Sequence, residues 1–174
     1  MKRVVVVAMA ALCLVSAAAI LWQQPMFASS ETETYQLHME VPQVAQAANG
    51  DKVTITGSGV FSVNPKSTTA TGTYTSAASG SGTWVATQLL SFQPYGCGVI
   101  FGDPLPPNLC GGKVMLHVLL TDSTSGQQFE GVLSVFCQIG NPPPSAEEGA
   151  RLDIIGVNNF NRILSGMNVY IKKS

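Results

Sequence analysis

The groups in this 174-residue chain that can do covalent, metal or proton-transfer chemistry are few: four cysteines, two histidines, ten carboxylates and a scatter of aromatics. Cys97 and Cys110 bracket a proline-rich stretch, YGCGVIFGDPLPPNLCGG over 95–112. Glycines flank both, so two flexible loop ends can approach, and in an oxidising compartment such a pair closes a disulfide. Across a loop of about 14 residues the bridge contributes on the order of 3 kcal/mol in the chain-entropy view. Cys137 runs in phase with Leu133, Val135 and Ile139 on the inward face of a strand, where a free thiol behaves as a small hydrophobe. This reading pairs Cys97 with Cys110 and leaves Cys137 free and buried. Cys97–Cys137 and Cys110–Cys137 are the competing pairings.

No metal or cofactor is expected. His38 and His117 are the only histidines, and neither forms a ligand-spaced pair with a cysteine. The acids are scattered, whereas a calcium loop needs several close together. A G-x-S-x-G elbow, a phosphate loop, an H-E-x-x-H pair and a dinucleotide fingerprint are all missing. His117 alternates with Met115 and Leu119 and reads first as a partly buried histidine bonded to a neighbour; His38, beside Glu40, reads as a surface residue. A catalytic site, were there one, would draw on His117, Asp103 and Glu130. Tyr74, Trp84, Phe92, Tyr95 and Phe101 offer stacking surface, although aromatics in strands are more often core. Of these, Tyr95 and Phe101 are, with His117, the candidate ligand contacts. The P-L-P-P run at 104–107 reads as rigid loop scaffolding.

The elements that must position these groups are strands. KVTITGSGVFSV over 52–63 alternates Val53, Ile55, Phe61 and Val63 on one face with polar residues on the other. Gly57 and Gly59 interrupt its apolar face, and strong curvature is the expected reason. The same period of two runs through YQLHMEV (35–41), TTATGTYTS (68–76), GTWVATQLLSFQ (82–93), KVMLHVLLTD (113–122) and QQFEGVLSVFCQI (127–139). Asn49-Gly50, NPKS, AASGS and STSG punctuate them as short turns, which implies antiparallel neighbours. Two last strands near 150–157 and 166–172 flank an Asn-rich corner, VNNFNRILSG, with room for one helical turn. The expectation is a single all-β antiparallel domain of about eight strands over 31–174, either a β-sandwich or an up-and-down β-barrel. The run of hairpins leans towards the barrel; apparent long crossings at 94–112 and 140–149 lean towards the sandwich.

The amino terminus sets the compartment. Lys2 and Arg3 precede a long apolar run over 4–22, and QQPMFASSE then turns polar with small residues. That order is an export signal over 1–30, with cleavage expected after Ser30 and, as the alternative, after Ala28. Nineteen helical residues span roughly 28 Å, so an uncleaved membrane anchor is the competing reading. Cys13 follows the bulky Leu12, which does not suit lipoprotein processing. Beyond residue 30 seven basic residues face ten acids, a formal charge of −3 with no basic footprint for nucleic acid.

These features point to a secreted or cell-surface domain that acts as a non-catalytic binding or structural module. Its partners would be a surface polymer, a glycan or a small apolar ligand, with membrane contact only through a retained leader. A carrier of small hydrophobic ligands inside a β-barrel cavity is the alternative, and a barrel-type isomerase or hydrolase a further one.

Overall fold

The computed structural model describes residues 32–78 and 80–173. The expected leader over 1–30, with Cys13, lies outside the described residues. Everything regular in the described chain is strand, paired antiparallel throughout. No helix of the described residues is long and apolar enough to cross a membrane.

In chain order the strands are β1 (Thr34–Met39), β2 (Gln43–Gln46), β3 (Lys52–Ser62), β4 (Ser67–Thr68), β5 (Thr71–Ser76), β6 (Gly80–Cys97), β7 (Val99–Ile100), β8 (Asp103–Pro104), β9 (Leu109–Asp122), β10 (Gln128–Cys137), β11 (Gly149–Ile154), β12 (Asn158–Phe160), β13 (Arg162–Ser165) and β14 (Asn168–Lys173). The eight strands of six residues or more match the eight apolar-alternating segments of the sequence; the others are short pieces of two to four residues. The Asn-rich corner is not a helical turn. It forms β12 and β13, because the asparagines follow a glycine turn at 155–157 and their backbone finds partners on β11 and β2.

Hydrogen bonding runs β3 to β5, β5 to β6, β6 to β9, β9 to β14, β14 to β1, and β1 back to β3, a closed circuit of pairings. A second arm leaves β9 through β10 and β11 to β12, and a third leaves β3 through β2 to β13. These arms end on consecutive pieces of chain joined at Asn161, so the covalent backbone links them. The segments at 94–112 and 140–149 are not crossings: β6 pairs with β9, and β10 with β11, as hairpin neighbours.

Inward side chains build one core. Val53, Ile55 and Phe61 of β3, Leu116, Val118 and Leu120 of β9, and Leu133 and Val135 of β10 are fully buried, as the period of two requires. In β6 the inward residues fall at Trp84, Ala86, Leu89 and Phe92, a spacing that stretches from two to three. Register shifts against β9 lie in the intervals Ala86/Gln88 and Leu89/Ser91, so each extra residue is absorbed as a bulge and the apolar face stays inward. The glycines of β3 serve close approach more than curvature. A Cβ at Gly57 would overlap the Trp84 ring, and one at Gly59 would overlap the backbone of Ala70. Trp84 Nε1 donates to Thr56 O at 3.0 Å, which satisfies the indole where it lies on this glycine. At the other end Tyr35, Phe61, Phe92 and Tyr170 pack with ring centroids 4.8–5.7 Å apart.

Candidate functional site

Cys97 and Cys110 are joined by a disulfide, 13 residues apart. They sit in register across the β6–β9 ladder and not in flexible loop ends, since both strands run further than the sequence pattern indicates. What the bridge closes is itself a hairpin. β7 and β8 pair through Val99↔Pro104 and Ile100↔Asp103, with Phe101 and Gly102 as the two turn residues. Both carry positive φ, 49° and 94°, the backbone of a tight turn that ordinarily favours Asn-Gly. Backbone bonds hold the hairpin down: Leu105 N–H donates to Gly98 O, Gly98 N–H to Leu109 O, and Gly140 N–H to Val99 O, at 2.7–2.9 Å.

Between this hairpin and the outer face of β14 lies a groove of about 580 Å³. Ile100, Phe101 and Leu105 form the hairpin wall, while Met167, Val169 and Ile171 form the opposite one. Val169 and Ile171 face outward because the alternate residues Asn168 and Tyr170 are buried inside. Leu109, Cys137 and Ile139 contribute further apolar lining. Phe101 is 79% exposed and Met167 51%, an unusual way to leave two large apolar side chains in water.

One end of the groove is polar. Glu148, half-buried, accepts the backbone N–H of Gln138 and of Asn168, each at 2.7 Å. Burial nonetheless raises its carboxyl above the ordinary range, the two N–H bonds opposing that shift. Asn168 is 3% exposed, and its Nδ2 donates to Gln43 Oε1, Phe136 O and Gly149 O. Its Oδ1 has no hydrogen-bond partner among the described residues. Glu40, exposed, is the other carboxylate of the lining. Among the described residues, the groove is lined by two carboxylic side chains and by no Lys, Arg or His.

The structure separates the candidate ligand contacts. Phe101 stands at the lip of the groove. Tyr95 lines a different, more polar cleft of about 370 Å³ with Lys113, Phe136, Glu147 and Arg151; Arg151 is ion-paired with Glu147, and both Arg151 and Lys113 sit over the Phe136 ring. His117 borders neither. It projects from the outer face of β9, its Nδ1 2.7 Å from Thr87 Oγ1 and its Nε2 3.8 Å from Glu130 Oε2. Asp103 belongs to the β7–β8 hairpin, whereas His117 and Glu130 face each other across the β9–β10 ladder. Cys137 is free and 1% exposed. Burial pushes its thiol up to about 12, so at neutral pH it is not a thiolate nucleophile.

The polar end of the groove was not legible as a site. Glu148 falls in GNPPPSAEEG, which reads as an exposed connection, and Asn168 in a strand with no distinguishing pattern. Only Phe101-Gly102 carried a signal, as two residues between short apolar and polar runs where a two-residue turn fits. Comparison with family models, with curated proteins and with solved structures finds no match for this chain.

Proposed function

We propose that this protein is an extracytoplasmic, non-catalytic binding module with a β-barrel body, and that the groove beside its disulfide hairpin receives a small apolar or amphipathic ligand. The export-type amino terminus over 1–30 and the Cys97–Cys110 bridge support the compartment. The closed circuit of pairings and the hairpin order of β5, β6, β9, β10 and β11 support a barrel over a sandwich. The interior is occupied by Trp84, Tyr74, Tyr170, Phe61 and Phe160, all fully buried, so the space for a ligand is the lateral groove.

The observation that carries this reading is Phe101. A bulky residue held at positive φ costs about 1–2 kcal/mol, and here it is largely exposed at the edge of an apolar groove. Strain that brings no packing inside the fold is accounted for by contact with something outside it. The test is Phe101→Asn, which suits the left-handed turn but removes the aromatic face. Saturable binding of the neutral apolar dye Nile red should weaken at least about fivefold, while the denaturant midpoint stays level or rises. Loss of stability with unchanged dye binding would make Phe101 a structural residue and remove the reading.

A further inference from the structure

We propose that the groove ligand is a cationic amphiphile, its hydrocarbon chain lying along Ile100, Leu109 and Ile171 and its ammonium head held by Glu148 and Glu40. The proposal rests on the groove reading above and adds the chemistry of the head group.

Glu148 uses two of its roughly four acceptor positions on backbone N–H groups. It makes no ion pair among the described residues. Arg151, three residues further along the chain, is ion-paired with Glu147 instead. A partly desolvated carboxylate without a counter-charge is costly, and a bound cation repays the cost at this point. The exposed Glu40 adds a second carboxylate to the lining, and no Lys, Arg or His of the described residues lines the groove, so its charge is of one sign. An ammonium group brings three donors and a positive charge. A fatty-acid carboxylate would bring more acceptors and a like charge to two glutamates.

The experiment uses three probes of equal chain length below their aggregation concentrations, decylammonium, decanol and decanoate, titrated at neutral pH into the full chain expressed with its own leader and purified. Decylammonium should bind about tenfold more tightly than decanol, and decanoate more weakly than both. Glu148→Gln should bring decylammonium to within about threefold of decanol measured on the same variant. Should that variant fail to give native circular dichroism, Glu40→Gln, at an exposed position, is expected to reduce the same preference by a smaller factor. Equal binding of all three probes, or an ammonium preference that survives both substitutions, overturns the cationic assignment and leaves the apolar groove standing. Failure of all three to bind overturns the groove reading itself.

Discussion

At the scale of single residues, the groove is made of groups that a purely structural protein has little reason to arrange this way. Phe101 spends backbone conformation on exposure, and Glu148 sits half-buried with only amide donors around it. The second has a consequence for stability. Because burial raises the Glu148 carboxyl above its ordinary range, folding favours the protonated form. The stability contributed by this group is then complete below the pKa of the unfolded chain and is lost as pH rises through the raised value. The neutral Glu148→Gln variant lacks that dependence. It loses one N–H acceptor, a fixed cost of about 1–3 kcal/mol, but the gap between it and the parent should narrow as pH climbs from about 4 to about 7. Denaturant melts of both proteins at several pH values check this; a gap that is flat or widens with pH contradicts the direction of the shift.

At the scale of elements, the disulfide and the glycine–tryptophan contact fix the two ends of the β6 hairpin system. Cys97–Cys110 ties the ladder where β6 and β9 would otherwise fray into the β7–β8 excursion. Replacing both cysteines by serine should cost on the order of 3 kcal/mol and also weaken Nile red binding, since the hairpin wall loses its covalent anchor. Equilibrium unfolding and dye titration on the same variant separate the two effects; an unchanged midpoint would show that the ladder holds the ends unaided. Gly57 illustrates what period-two reading can and cannot give. The pattern located the strand and marked the glycine as special, whereas the reason, the Trp84 ring pressed on it from β6, depends on a residue 27 positions away. Likewise the expected loop ends at Cys97 and Cys110 proved to be ladder positions, because a bulged strand continues through proline and glycine that look like punctuation.

At the scale of the whole molecule, the circuit of pairings leaves little backbone to recruit a neighbour. The two arms end on strands of three and four residues joined to one another. The distal part of β6 pairs on one side only, with β9, and there Pro94 and the bulges interrupt the row of donors. Among the described residues, edge-to-edge assembly therefore has no long flat strand to use. The described domain should sediment as a monomer across about 1–100 μM, an interval wide enough to reveal a weak standard-size interface. Concentration-dependent growth that Phe101→Asn leaves untouched would point to a docking face other than the groove.

The sequence by itself determined the all-β character, the eight long strands and the identity of most core residues, because alternation of apolar and polar side chains is a local property set by the pleat. It also singled out the cysteine stretch and, within it, Phe101. Only the tertiary structure decided that Tyr95, Phe101 and His117 belong to three separate places, and that Glu148 and Glu40 line one apolar groove. Those assignments depend on which strands close the circuit and on where bulges shift the register, and both are fixed by long-range pairing that leaves no periodic trace along the chain.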